Sequence, residues 1–382
     1  MDRRSFNAGL AAALAGTAIP APAGAAPYRG PNVVLVRFGG GVRRAETIDE
    51  ATTWAPYLRH VLAPRGLFVP DLRIEKLEGV NTSHAEGTLN LLTGRYLAYR
   101  DAGSRFLTDR LEPTEPTLFE YLRAAFDLPS HQVLLINGED RPQEEFFTFG
   151  VHDHFGIDFR SEMLSLHRFK IWKTREILTE GGLSEEAAAK LEAEYDRLLT
   201  VDPRGHPPDQ AGEIEAFWAR WRAHYGDDGL RNPRGDRLLT ELALRAMAEL
   251  RPRLMMVNYQ DPDYVHWGNP SHYTRAISII DEGLKRLVTA ADADPYYRDN
   301  TVFVVTPDCG RDANPLTDVP FQHHFNSRSA HETWAVLFGP GVVRGAVLDR
   351  PVDQSAIAPT IAALMGFRAA SAEGTALSEA FA

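Results

Sequence analysis

The stretch PNVVLVRFGGG, residues 31–41, is a run of valine and leucine that ends in three glycines. A continuous apolar run of this length is typical of a parallel strand buried on both faces, and the glycines predict a tight turn with positive φ at its end. The same strand pattern recurs in HQVLLIN (131–137), RLMMVNYQD (253–261), NTVFVVTPD (300–308) and TWAVLFGPGV (333–342).

Amphipathic helices are predicted between and after these strands. EPTLFEYLRAAF (115–126), PSHYTRAISIIDEGLKRLV (270–288) and DQSAIAPTIAALMG (353–366) carry apolar residues at helical spacing. Strands that alternate with helices indicate an α/β fold, a three-layer sandwich whose central sheet is mostly parallel and covered on both faces.

Residues 145–236 interrupt this alternation. The segment is rich in charge and tryptophan, and Ser184 can cap a helix that begins with two glutamates. We interpret it as a helical insertion over one end of the sheet, within one domain spanning residues 27–382. Substrate selection is expected there, and the candidates are Phe146, Phe147, His152, Asp153, His154, Trp218 and Trp221.

Composition excludes some classes of function. The 382-residue chain is 44% hydrophobic, which is enough for a full core. Its 41 Lys and Arg against 52 Asp and Glu give a formal charge of -11. A nucleic-acid partner is therefore not expected, because such binding needs clustered cations.

The first 26 residues read as an export signal. Arg3 and Arg4 precede a short apolar run, residues 8–19, and then a segment rich in proline and alanine. The arginine pair predicts passage through the twin-arginine machinery to the periplasm or the exterior, and an ordinary secretory signal is the alternative. The run is shorter than the ~20 residues that span a bilayer, so no stable membrane anchor is expected.

Cys309 is the only cysteine of the chain. One cysteine cannot form an intramolecular disulfide, even in an oxidising compartment. Its side chain is therefore a buried small hydrophobe, a free thiol or a metal ligand.

Polar side chains follow the predicted strands at their ends. They are Asp261, Asp263, His266, Asp308, Cys309, His323, His324 and His331. Ligands bind at the carboxyl ends of strands in open α/β sheets, and this mixture of carboxylate, imidazole and thiol favours a zinc-like transition metal. The alternative is that these groups cap turns or are solvated.

A possible nucleophile precedes the next helical run. Thr82, Ser83 and His84 stand before LNLLTG (89–94), which places a hydroxyl at a helix N-terminus where negative charge is stabilised. That hydroxyl is either a nucleophile or only the cap of the helix.

Together these segments resemble the alkaline phosphatase superfamily, which includes sulfatases, nucleotide pyrophosphatases and cofactor-independent phosphoglycerate mutases. The resemblance covers nearly the whole chain after the signal. It rests on the order of NVVLVRFGGG, NTSHAEGTLNLLTG, PTLFEYLRAA, DPDYVH, VVTPDCG, HETWAVLFGPGV and AIAPTIAALMG.

The resemblance implies two metal ions with a nucleophile between them. The ligands of the first metal fall on Asp263, His266 and His331, with Asp261 and His323 as substitutes.

The second metal site departs further from the family pattern. Gly39 replaces the strand-end aspartate, and Cys309 replaces the histidine after Asp308. Because a thiolate also binds zinc, this site is expected to be altered rather than lost.

The nucleophile position falls on His84 without a gap, and on Ser83 or Thr82 after a shift of one or two residues. Arginines flank the glycine turn and are candidates to neutralise an anion: Arg37, Arg43 and Arg44.

The function implied is an exported, metal-dependent hydrolase of small anionic phosphate or sulfate esters. Ser83 or Thr82 would be catalytic, and the cofactor would be one or two divalent ions, with zinc favoured. The alternative is a non-catalytic relative that retains one metal site. Phosphoryl transfer, as in the mutases, has less support because no residue specifies an acceptor.

Overall fold

The structure is a computed structural model of the chain. It describes residues 27–101, 110–138, 142–148, 154–201, 212–229, 235–267, 269–314, 316, 319–323 and 327–382. The predicted export signal lies outside the described residues, as do His152, Asp153 and His324.

The described residues form a central sheet of nine strands and a separate two-stranded sheet. The strands are Asn32–Arg37 (β1), Leu67–Arg73 (β2), Tyr99–Asp101 (β3), Leu111–Pro113 (β4), Val133–Ile136 (β5), Glu162–Leu164 (β6), Leu254–Asn258 (β7), Thr301–Thr306 (β8), Glu332–Phe338 (β9), Ala346–Val347 (β10) and Val352–Asp353 (β11).

The central sheet has the order β10-β2-β9-β8-β1-β7-β5-β6, and β11 also pairs with β2. β9 is antiparallel to both of its neighbours, β2 and β8, whereas the other pairs are parallel. β3 and β4 form the small sheet. The predicted α/β fold with a mostly parallel central sheet is therefore confirmed.

Helices cover both faces of this sheet. They are Arg44–Thr47 (α1), His84–Thr93 (α2), Leu118–Phe126 (α3), Leu166–Glu180 (α4), Glu185–Leu199 (α5), Glu213–Tyr225 (α6), Asp236–Leu250 (α7), Pro270–Ala293 (α8), Arg328–His331 (α9) and Ile357–Leu364 (α10). None of the helices in the described part of the chain is long and apolar enough to cross a membrane.

β1 shows how the two cores arise from alternation along a strand. Val34 and Val36 face one core, which contains apolar residues of α4, α6, α7 and α8. Val33 and Leu35 face the other, which contains residues of α2, α3 and α10. Because successive side chains point to opposite faces, an uninterrupted apolar run supplies both layers at once.

The three glycine positions after β1 require glycine for two different reasons, positive φ or lack of space for a side chain. Gly40 and Gly41 adopt φ of +86° and +65°, as the turn predicts. Gly39 does not have positive φ; instead, a Cβ there would lie 2.0 Å from the carbonyl oxygen of Tyr259. No side chain fits at position 39 while the backbone stays in place.

The segment predicted as an insertion holds α4, α5 and α6, and it also contributes β6 to the central sheet. Trp218 and Trp221 are buried at 2% exposure, and Phe146 and Phe147 are buried as well. His154 is exposed. The aromatic side chains therefore form core rather than an open recognition surface.

Asp281 of α8 ties a neighbouring segment to the helix. Its carboxylate accepts the backbone N–H groups of Tyr57 and Leu58 at 2.9 and 2.8 Å, at the start of a short helix. Burial raises the pKa of Asp281 to about 6 in spite of these two hydrogen bonds.

Candidate metal centre

The candidate site lies where three parallel strands end. Arg37, the last residue of β1, is level in register with Asn258 of β7 and with Thr306 of β8. The loops that follow these residues therefore leave the sheet side by side, at the carboxyl edge where α/β folds bind ligands. α2 begins against the same loops, because His84 contacts Asp308.

Three imidazoles surround one carboxylate oxygen of Asp263. Its Oδ1 lies 2.5 Å from Nε2 of His84, 3.0 Å from Nε2 of His266 and 3.2 Å from Nε2 of His323. Burial acts to raise the pKa of Asp263, but the three imidazoles lower it well below its ordinary value. The carboxylate is therefore ionised.

His84 is the residue on which the nucleophile position falls when the resemblance is read without a gap. It is the first residue of α2, and its ring lies between two carboxylates, with Nδ1 2.8 Å from Asp308 Oδ2 and Nε2 next to Asp263. Burial acts to lower the pKa of His84, but the two carboxylates raise it well above its ordinary value. An imidazolium satisfies both contacts because it carries an N–H on each nitrogen.

His323 is held by Thr82. Its Nδ1 is 3.2 Å from the carbonyl oxygen of Thr82, and the hydroxyl of Thr82 donates in return to the carbonyl oxygen of His323. The ring can hold its proton on Nε2 and donate to Asp263, or hold it on Nδ1 and donate to the Thr82 carbonyl, which leaves the Nε2 lone pair for a metal ion. Metal-binding histidines are oriented in the second way.

Thr82 itself is strained. Its φ is 53°, in the left-handed region that a β-branched residue rarely adopts. Such strain is typical of functional sites, and here it accompanies the contacts that orient His323.

The two candidate hydroxyl nucleophiles make structural hydrogen bonds. Ser83 is the N-cap of α2. Its Oγ accepts a hydrogen bond from the backbone N–H of Glu86 at 3.2 Å, and the Glu86 carboxylate accepts one from the backbone N–H of Ser83. The Thr82 hydroxyl is buried and donates to carbonyl oxygens of His323 and Asn81. The structure thus gives both residues the capping or bracing role.

Asp308 and Cys309 follow β8 and are fully buried. Burial acts to raise the pKa of Asp308, but His84 and Arg37 lower it below its ordinary value. Burial and the adjacent Asp308 raise the pKa of the Cys309 thiol to about 11. Its Sγ lies 3.8 Å from Nδ1 of His84, so the cysteine contacts the site as a protonated thiol.

His331 and Asp261 lie apart from this convergence. Among the described residues, neither joins a group of three potential ligands. Nδ1 of His331 is 2.8 Å from the carbonyl oxygen of Ile74, whereas Asp261 Oδ1 accepts the backbone N–H of Asp236 at 3.1 Å, at the start of α7. The structure brings His323 to Asp263 where the resemblance put His331.

The donor set fits one transition-metal ion. The ligand atoms of Asp263, His266 and His323 all lie within 4.8 Å of one another, and one carboxylate oxygen with two imidazole nitrogens is a set that zinc prefers. His84, Cys309 and His323 form a second group of this kind. The two groups share His323.

The second site of the family pattern lacks its strand-end carboxylate, because Gly39 cannot carry one in this backbone. The remaining carboxylate, Asp308, already faces two cationic groups, His84 at 2.8 Å and Arg37 at 3.6 Å.

Sequence reasoning missed two buried residues at this site. Arg311 donates to the carbonyl oxygens of Gly41 and Val265 at 2.7 Å, and its guanidinium lies 3.8 Å from Asp263 Oδ1. Glu144 is 3.5 Å from Arg37. A charged residue that ends an otherwise apolar strand, as Arg37 does, is a sequence signal for such buried pairs.

The other two arginines near the glycine turn are paired elsewhere. Arg43 forms an ion pair with Glu46, and Arg44 lies 2.8 Å from Asp71. Neither is held in the cluster around Asp263.

Comparison with known proteins places the fold. No protein-family model matches the chain, and no curated protein matches it. Among solved structures, it is similar to wild-type alkaline phosphatase PafA, with a TM-score of 0.56 and 10% identity over 94% of this chain and 100% of that one. It is also similar to an alkaline phosphatase superfamily protein from Vibrio parahaemolyticus, with a TM-score of 0.53 and 14% identity over 94% of this chain and 72% of that one. At these identities the likeness establishes the fold, and the resemblance seen in the sequence is confirmed at that level.

Proposed function

We propose that the protein is an exported, metal-dependent hydrolase of phosphate or sulfate esters that uses one metal ion. The observation that carries the proposal is the convergence of His84, His266 and His323 on one oxygen of Asp263, at the carboxyl edge of the sheet. The alkaline phosphatase-like fold supports a hydrolase at a coarse level.

Asp263, His266 and His323 would hold the ion, which when bound supplies a Lewis acid that polarises an ester oxygen. His84 stands at the N-terminus of α2, where the helix dipole favours the negative charge of an ester group. In place of a hydroxyl nucleophile, water would bond to the phosphorus or sulfur as the ester bond breaks. The leaving oxygen would take a proton from the His84 imidazolium, which holds protons on Nδ1 and Nε2, and the neutral ring would then take up the proton that the water releases. Arg311 fixes the turn that carries Asp263 through its hydrogen bonds to backbone carbonyls.

The test combines metal content with turnover. Signal-processed protein is purified without chelator, its metals are quantified by mass spectrometry, and hydrolysis of nitrophenyl phosphate, bis-nitrophenyl phosphate and nitrophenyl sulfate is measured. We expect one transition-metal ion per chain and hydrolysis of at least one ester. His266→Ala should lose both, whereas His272→Ala, which removes an exposed histidine of α8, should lose neither. Full metal content and activity in His266→Ala would reject the assignment.

A non-catalytic binding protein is the second candidate. It is favoured by the bonding of both hydroxyls, because Thr82 braces His323 and Ser83 caps α2. One bound metal ion per chain without hydrolysis of any of the three esters would support this candidate and reject the hydrolase.

A further inference from the structure

Arg37 is a buried cation inside the candidate site. It ends β1, it is completely buried, and its Nη1 donates to the Thr88 hydroxyl of α2 at 2.6 Å. The same nitrogen lies 3.5 Å from Glu144 Oε1 and 3.6 Å from Asp308 Oδ2. Three oxygens thus surround one nitrogen atom.

These oxygens come from separate parts of the chain. Asp308 follows β8, Glu144 lies in the short helix Pro142–Thr148 after β5, and Thr88 lies on α2. Both carboxylates are at most 1% exposed at their side chains, so each needs a positive partner. Carboxylates and a hydroxyl around a single point are also the donors that a divalent cation takes.

Arg37 occupies that point at a cost. Its Nε is buried and has no hydrogen-bond partner among the described residues. A buried guanidinium is strongly disfavoured unless opposite charges compensate it. Here it compensates two buried carboxylates.

The backbone around Gly39 excludes a carboxylate side chain at that position. A Cβ at Gly39 would lie 2.0 Å from the Tyr259 carbonyl oxygen and 2.7 Å from Arg37 Nε. The strand-end carboxylate that the family resemblance implies for a second metal cannot coexist with this guanidinium.

We propose that Arg37 is a built-in cation that stands in for a second metal ion, balances Asp308 and Glu144, and thereby limits the protein to one metal site. The count of one rests on the proposed function, but the role of Arg37 does not. A divalent ion placed between the same carboxylates would meet the fixed guanidinium at contact distance, and repulsion would exclude it.

The experiment titrates metal-free protein with Zn²⁺, and separately with Mn²⁺, against a chromophoric chelator. Arg37→Ala should bind one more equivalent than the wild type, because it vacates the position between Asp308, Glu144 and Thr88. Arg37→Lys keeps the charge and should bind the same number as the wild type. Melting temperatures with and without metal are recorded for all three proteins, and added metal should stabilise Arg37→Ala more than Arg37→Lys.

Each outcome decides the proposal. A folded Arg37→Ala that binds no additional metal overturns it, and so does a second tight equivalent in the wild type. If Arg37→Ala does not fold without metal, restoration of its fold by Zn²⁺ or Mn²⁺ supports the proposal. If neither metal restores the fold, the metal count of Arg37→Lys decides: one more equivalent than the wild type overturns the proposal, and the same number supports it. No metal in the wild type with one equivalent in Arg37→Ala would reject the one-metal site yet leave the role of Arg37 intact.

Discussion

His323→Ala should weaken metal binding by roughly two to three orders of magnitude. A structural zinc site with four ligands contributes about 10–16 kcal/mol, or about 2.5–4 kcal/mol for each ligand. Since about 1.4 kcal/mol is a tenfold change, the loss of one ligand corresponds to a roughly 10²–10³-fold higher Kd. The imidazole is fully buried and faces Asp263, so no solvent-exposed group can take its place without rearrangement.

The assay measures the zinc Kd of chelator-stripped protein by competition at neutral pH. His331→Ala is measured in parallel because the family pattern implied His331 as the ligand, and His272→Ala is the exposed control. Circular dichroism and thermal melting show whether each variant is folded, since His323→Ala also leaves the Thr82 carbonyl without its donor. A folded His323→Ala whose Kd stays within about threefold of the wild type, or a larger loss in His331→Ala, would refute the reasoning from geometry.

Three further changes test separate parts of the molecule. Asp281→Asn should reduce a pH dependence of stability. The folded pKa of about 6 lies above the unfolded value of 3.8, so the Asp281 carboxyl stabilises the fold at acidic pH, and about 3 kcal/mol of that stability is lost as pH rises from about 4 through 6. Urea melts between pH 4 and 7 should therefore show a steeper loss of stability in the wild type than in Asp281→Asn, and equal slopes would contradict the raised pKa. Ser83→Ala should lower the free energy of unfolding by about 1 kcal/mol, because the capping box with Glu86 is lost, and Ser83→Asp should restore most of that stability. Equal stability of the wild type and both variants would contradict the capping role. Replacing Arg3 and Arg4 by lysine should block export in a twin-arginine host, whereas normal export of that variant would point to the general secretory route.

The fold was predictable because the hydrophobic pattern of each strand and helix lies within its own segment of the sequence. The apolar run of β1 fills both cores, and this pattern is visible without any partner strand. The position of Asp263, His266 and Asp308 directly after strands was also sufficient to place them at one edge, since parallel strands bring their carboxyl ends together.

The identity of the third imidazole was decided only by tertiary structure. His323 and His331 lie in the same connection before β9. In each ring Nδ1 faces a backbone carbonyl oxygen, at 3.2 Å in His323 and 2.8 Å in His331. The ring that faces Asp263 is the one that contacts Thr82, 241 positions away in the sequence. Local pattern carries no information about that contact.

Charge balance in the site was likewise a long-range outcome. The sequence by itself determined that Arg37 would flank the glycine turn after a buried strand, and that His84 would stand before a helical run. Only the packed chain determined that Arg37 meets Glu144, 107 residues away, and that His84 lies between Asp263 and Asp308, 179 and 224 residues away. A strand or a helix arises from the periodicity of its own residues. A buried charge must be paired with an opposite charge because its desolvation is costly, and only the completed fold decides which opposite charge lies within reach.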